Sequence, residues 1–426
     1  MKTPSLLVLI AAGTVTTVFS TDVFGFTEFA RGELDLSTTA RALYDSRIFG
    51  GLSTADDYIF TLDPELIFRR EAGELKLDAN AGVRINRYVD FTQFNSEDFV
   101  GSITLRLPSG GAAPLSGEFE TSYDEHTDVN YDVNLRVREK TFISRFDTDI
   151  PTSLKTGVLL AGSFRRDRRN ITSDRDTWDG SGGFRYGNFL GGATFELLYR
   201  RLELKSSGDN AFGIPLDQNS DIYTASYSQP LYHEIKGTIS YGYRVLRRSQ
   251  AEVINGETRS AGSIIALRLD GPFLPESMFP KVQTSLSLGY QKAETPGIND
   301  TAGSRFVGDV HVGWQARERT HLSLDARRSQ ELTVNDLTVE TTRAMLGLTQ
   351  GIGDFTEGNL SAGYEKRDYR TLDHKDDVFI AQAGLKYRIT HTWSAEANYS
   401  LRSASSTLAA ADYTRHLVSV SATYIF

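Results

Sequence analysis

The last eleven residues, HLVSVSATYIF (416–426), carry the reading that decides the fold. Every second residue back from the end is apolar or aromatic: Phe426, Tyr424, Ala422, Val420, Val418. Between them stand Ile425, Thr423, Ser421, Ser419 and Leu417, mostly small and polar. A period of two is the signature of a β-strand with unlike faces. Chain ends ordinarily fray, so a strand kept in register to its final residue predicts a permanent partner for it.

The same alternation recurs along the chain. LKLDANAGVRIN (75–86) puts Leu75, Leu77, Ala79, Ala81, Val83 and Ile85 on one side and polar or charged residues on the other. IKGTISYGYRV (235–245), VQTSLSLGY (282–290) and WSAEANYSL (393–401) read the same way. Many of these segments run for 10–14 residues, whereas strands of soluble sandwiches average about 5–6. A tilted strand crossing a bilayer needs about 9–11. Aromatic residues gather near the ends of the apolar sets, among them Tyr44, Tyr58, Tyr123, Tyr199, Tyr243, Tyr290, Trp314, Tyr364, Tyr387, Trp393 and Tyr424. That placement fits the two interfacial girdles of a membrane barrel.

The pattern predicts an all-β fold: a transmembrane antiparallel outer-membrane β-barrel of twenty strands, from 34–45 and 57–69 through to 392–403 and 412–426. Eighteen is the alternative, because DGPFLPESMFP (270–280) is long for a short-turn position. REAGE (70–74), GNFLG (187–191), ARERT (316–320) and THT (390–392) are short connections. RYVDFTQFNSED (87–98), KSSGDNAFGIPLDQNS (205–220) and RSQAEVINGET (248–258) are longer and fall at the opposite end. Short periplasmic turns and longer outer loops, with both termini in the periplasm, produce that asymmetry. A barrel has no free edge, so the last strand is expected to pair with the first, near Leu34–Asp45. Tyr424 and Phe426 also resemble the C-terminal signal read by bacterial barrel-assembly machinery.

Composition agrees with export. MKTPSLLVLIAAGTVTTVFS (1–20) has one lysine, an apolar centre and small residues after it, the layout of a signal peptide. Cleavage after Ser20 or as late as Gly25 leaves a short periplasmic segment, 21–33, before a single barrel, 34–426. Cysteine is absent, which removes thiol chemistry and disulfides. A formal net charge of −9 argues against a nucleic-acid partner. Mean hydropathy is −0.32, and alternation hides an apolar face from such an average. After residue 20 no apolar run reaches the length of a membrane helix.

Catalytic motifs are sparse. The histidines are His126, His233, His311, His321, His374, His391 and His416, with no pair at metal-helix spacing. His126 and His374 are expected in outer loops, His233 and His391 at inner turns. His311 and Asp309 share a face of one strand, with Asp325 expected on the next, and a structural polar lumen is the reading preferred over a hydrolase site. GIGDFTEG (351–358) lacks the Lys-Ser/Thr of a phosphate loop and reads as a turn, while DHKDD (373–377) reads as a solvated outer-loop charge run. No enzyme activity, cofactor or metal is expected. The polar faces carry Arg41, Arg84, Arg106, Arg165, Arg200, Arg244, Arg268, Arg317, Arg327, Arg367, Arg388 and Arg402, together with Asp309, Asp325, Glu365 and Glu396. These are the lumen-facing candidates. They either pair across strands and stiffen a hydrated interior, or form tracks that favour anionic solutes. Arg41, Arg165 and Arg367, near strand ends, have outer-membrane lipopolysaccharide phosphates as an alternative contact.

Residues 43–68, LYDSRIFGGLSTADDYIFTLDPELIF, resemble the opening of an outer-membrane β-barrel porin family often encoded with exopolysaccharide biosynthesis and export genes. Tyr44-Asp45, Asp56-Asp57, Tyr58-Ile59-Phe60, Pro64 and Arg87-Tyr88 fit that opening, and Arg47 stands where the family has Asn. The resemblance implies a bacterial outer-membrane pore that helps a secreted polysaccharide cross, with periplasmic export proteins as partners. The alternatives are a general or anion-preferring diffusion porin, and a closed structural, adhesive or enzymatic barrel. A TonB-type transporter is not expected, since the residues before Leu34 are too few for a plug domain.

Overall fold

The structure, a computed structural model, describes residues 27–426 apart from 30–31, 51–52, 73–74, 108–115, 131–134, 171–173, 208–216, 233, 249–258, 274–280, 294–304, 333–337, 370–373 and 408–411. The expected signal peptide, His233 and most of 270–280 lie outside the described residues.

A strand of two unlike faces still has two unsatisfied edges, and a ring of such strands satisfies all of them. Here a short β1 (Thr27–Phe29) precedes the ring, which begins with β2 (Gly32–Asp45), β3 (Asp57–Ala72), β4 (Leu75–Tyr88) and β5 (Ser96–Leu107). It continues with β6 (Ser116–Asn130), β7 (Leu135–Pro151), β8 (Thr156–Arg169), β9 (Asp174–Phe189), β10 (Ala193–Ser207) and β11 (Gln218–Tyr232). Next come β12 (Ile235–Arg248), β13 (Arg259–Gly271), β14 (Val282–Ala293), β15 (Arg305–Arg317) and β16 (Thr320–Leu332). The last five are β17 (Thr338–Ile352), β18 (Thr356–Tyr369), β19 (His374–Arg388), β20 (Trp393–Ser406) and β21 (Tyr413–Ile425). Each pairs antiparallel with its chain neighbours, and β21 pairs with β2 to close a ring of twenty strands, β2 to β21. β13 and β14 are separate, mutually paired strands, which removes the eighteen-strand alternative.

The seam shows why the chain end is ordered. Pairing runs from Ser37↔Ile425 to Asp45↔Leu417. Below it the Phe426 amide donates to the Leu36 carbonyl at 2.8 Å. The rest of that edge, Gly32–Leu34, is paired by β1. The N-terminal strand thus finishes the ladder where the C-terminal strand runs out.

Side-chain exposure separates the two walls. On β21, Val418 and Val420 are 45% and 58% exposed. Leu66, Ile103, Leu197, Ile265 and Leu360 are similarly bare on their strands, as an outer wall solvated by lipid chains requires. Tyr44–Tyr58 (5.1 Å between ring centroids) and Tyr290–Phe306 (5.1 Å) stand toward one end of this wall. Trp393–Tyr424 (4.6 Å) and Tyr186–Phe189 (5.2 Å) stand toward the other.

The strands are longer than the sequence pattern suggests, from 12 residues in β5 to 17 in β7. The surplus lies at the long-connection end in β6, β8, β10, β19 and β20, and at the short-turn end in β3, β7, β9, β11 and β17. His126 and His374, expected in loops, therefore lie within β6 and β19. Asp373 of DHKDD lies outside the described residues; His374 and Asp376 face one side of β19 while Lys375 and Asp377 face the other, so Asp376 and Asp377 do not converge. GIGDFTEG is the turn between β17 and β18, with Gly353 at φ 75°.

Candidate conduit and its outer mouth

Registration fixes which side chains share the lumen. Arg41, Arg84, Arg106, Arg165, Arg200, Arg244, Arg268, Arg327, Arg367, Arg388 and Arg402 stand on the inner face of their strands; Arg317 ends β15 at a turn. Arg41, Arg165 and Arg367 share the strand face that carries the ion-paired lumen residues, not the apolar one. Most of the set meets carboxylates. Arg106 bridges Asp78 (2.7 Å) and Glu118 (3.0 Å), and Arg84 lies 3.6 Å from Asp63. Arg165 binds Asp167 (2.8 Å), Arg268 binds Asp270 (2.9 Å), and Arg200 binds Asp179. Glu365, 4% exposed, gathers Arg367 (2.6 Å), Arg402 (3.6 Å) and Arg343 (4.0 Å). Arg244 donates to Ser220 Oγ (2.9 Å), Arg388 to the Asp354 carbonyl (2.7 Å), and Asn398 to Glu396 (2.8 Å). Asp309 faces Arg327 in register. Between these ion pairs, a recess of about 550 Å³ opens beside Glu118, Arg145, Asp147, Asp179 and Arg200.

His311 Nδ1 lies 2.6 Å from Asp325 Oδ1, and Ser285 is the register partner of His311 on the other side. The row has the residue types of a hydrolase triad. The Ser285 hydroxyl, however, donates to Asp270 (2.8 Å), so it is not presented to the imidazole as a nucleophile. Among the described residues no group of three or more His, Asp or Glu is placed to hold a metal ion.

The outer mouth holds the feature that sequence reasoning missed. The β5–β6 ladder stops at Val100↔Asp124, yet β6 and β7 stay paired up to Asn130↔Leu135. Among the described residues the upper β6–β7 hairpin therefore has no backbone ladder to β5 and meets it only through side chains, Arg138 lying 3.6 Å from Asp98. Its Arg136 reaches Asp45 (3.2 Å), the Ile48 carbonyl (3.1 Å) and the Tyr88 hydroxyl (2.9 Å). Five strand spacings of about 4.8 Å put roughly 24 Å of wall between β2 and β7. Direct contact across that distance means the hairpin leaves the wall and leans over the lumen.

A compact cluster receives it. Asp45 is fully buried and accepts Arg136, both nitrogens of Arg415 (2.9 and 2.6 Å) and the Arg47 amide (3.0 Å). Arg415 also reaches Asp128 on β6 (3.2 Å). Ile48, with no exposed surface, packs with Ile59 and Tyr88, and Phe49 stacks edge-on to Phe91 (5.1 Å). Asp57 binds the Asp90 and Phe91 amides (3.0 Å each), which pins the neighbouring loop. Tyr44 donates to Asp56 (3.0 Å). Of the residues that carry the family resemblance, Tyr44, Asp45, Asp56, Asp57, Ile59 and Tyr88 build this shelf. Arg47 contributes its backbone amide to Asp45 and its guanidinium to the Ser53 carbonyl (3.4 Å). Arg136 did leave a trace in the sequence. Arg136, Arg138 and Lys140 occupy the parity that holds Phe142 and Phe146 lower on β7, and cations at lipid-facing positions signal that a strand has left the bilayer.

Residues 278–426 match the family described as "Putative beta-barrel porin 2". The copper transporter OprC is similar over 94% of this chain and 82% of its own, at 9% identity and a TM-score of 0.51. The ferric-catecholate import receptor Fiu of E. coli K12 is similar over 92% and 81%, at 8% identity and a TM-score of 0.50. OccK1 (OpdK) of Pseudomonas aeruginosa aligns over 94% of this chain and all of its own, at 12% identity and a TM-score of 0.41. No curated protein matches the chain. At these identities the structural likenesses concern the fold alone. Closed ring, apolar outer wall and family match together define an outer-membrane β-barrel, a porin-like protein of the bacterial outer membrane.

Proposed function

We propose that this barrel is a passive pore for small hydrophilic solutes, narrowed at its outer mouth by the β6–β7 hairpin. The observation that carries the reading is the contact of Arg136 with Asp45, which draws the hairpin inward from the wall across a quarter of the ring. Small solutes pass beside such a bridge, whereas a polymer chain needs a continuous bore. Exopolysaccharide export, which the resemblance implies together with its periplasmic partners, is therefore the weaker reading. The paired lumen charges support a stiff, hydrated wall more than an arginine track for polyanions, and the Ser285 geometry supports a non-enzymatic role. Tyr424 and Phe426, in edge contact at 4.2 Å beside the seam, are proposed as the segment the assembly machinery reads.

The test is to refold the mature chain into planar bilayers and record conductance with and without neutral and acidic polysaccharides. Open channels little affected by polymer are expected. Block by long acidic glycans would favour the export conduit. Silence from a demonstrably folded barrel would overturn both.

A further inference from the structure

The inner charges are unevenly distributed around the ring. Along the bore the inner face of β2–β7 carries Asp63, Glu65, Asp78, Glu118, Glu120, Asp124, Asp147 and Asp149 beside Arg41, Lys76, Arg84, Arg106 and Arg145, a surplus of carboxylates. Ten strands further round, on the opposite side of a twenty-strand ring, β12–β17 reverses the balance. That wall presents Lys236, Arg244, Arg268, Arg305, Arg327 and Arg343 against Asp270, Asp309 and Asp325. Many of these charges are ion-paired, so what a passing ion feels is the surplus on each wall. The glutamates and arginines concerned remain wet: Glu118 is 45% exposed, Arg268 57% and Arg343 48%.

We propose that the lumen contains two electrostatically separate lanes, cations following the β2–β7 wall and anions the β12–β17 wall. Separation follows from screening. The Debye length is about 8 Å at physiological ionic strength, while a ring of this strand number, built from strands about 4.8 Å apart, sets its opposite walls several Debye lengths apart. Each wall therefore concentrates its own counter-ions without cancelling the other. The permeants are small solutes of either sign, with charged and zwitterionic ones entering faster than neutral ones of equal size. This inference rests on the pore reading above and adds its selectivity.

The experiment compares reversal potentials in a salt gradient for the wild type, Glu118→Gln with Glu120→Gln, Arg268→Gln with Arg327→Gln, and all four changes together. The wild type is expected near zero selectivity. The glutamate pair should shift the cation-to-anion permeability ratio toward anions by about threefold, the scale a unit charge exerts on a counter-ion about 6 Å away in water. The arginine pair should shift it comparably toward cations, and the quadruple variant should return to the wild-type ratio, because screened sites add independently. A strongly one-signed wild type, or conducting variants whose ratios do not move in opposite directions, would overturn the lanes and leave the pore standing. Loss of conductance in the wild type would remove the pore reading itself.

Discussion

Replacing Asp45 with alanine is expected to widen the outer mouth and raise single-channel conductance, with added open-channel noise. The carboxylate is completely buried and is shared by two guanidinium groups that are each 3% exposed in their side chains. Removing one partner of a buried ion pair destabilises by about 3–5 kcal/mol, because the remaining charge is left unsolvated and unpaired. Here Arg136 loses its carboxylate while Arg415 keeps Asp128, and water must enter to reach the buried guanidinium. The hairpin's ladder to β5 ends at Val100↔Asp124, so above that point the Arg136–Asp45, Arg415–Asp128 and Arg138–Asp98 pairs carry its contact with the neighbouring wall. The ring itself is closed by the separate β2–β21 ladder and should survive. Single-channel recording, with proteolysis of the β6–β7 hairpin as a second readout, checks this. Unchanged conductance with a released hairpin would place the narrowest section deeper in the lumen.

Neighbouring residues of β21 supply the second large effect. Val420 faces lipid midway between Tyr424 and the Tyr399–His416 contact, and Ser419 faces the lumen. Val420→Arg places a guanidinium against hydrocarbon, which destabilises a membrane barrel by about 2–4 kcal/mol at the bilayer midplane. Ser419→Arg adds the same charge to a hydrated wall and is expected to change stability by under about 1 kcal/mol, in the range of an ordinary surface substitution. Urea unfolding in lipid bilayers distinguishes the two. A larger loss for Ser419→Arg would mean that the assignment of the two faces is reversed.

The sequence alone determined the barrel, because its information is local: a side-chain period of two, held over the width of a bilayer, admits only a strand with one lipid face and one wet face. The Val418–Phe426 alternation, the parity of Tyr44, Trp393 and Tyr424, and the unequal connections all follow from neighbours in the chain. The inner-face parity of Arg84, Arg268 and Glu365 was legible for the same reason. What those side chains meet was not. Glu365 collects arginines from β17, β18 and β20, and Ser285 turns to Asp270 instead of His311, choices made between strands by rotamer and register. The outer mouth lay furthest from view. Its hub, Asp45, meets Arg136 and Arg415 at separations of 91 and 370 residues along the chain. Only ring closure brings β21 to β2, and only the early end of the β5–β6 ladder lets the hairpin lean inward to them. Such contacts are set by closed geometry in three dimensions, and no period within one strand encodes them.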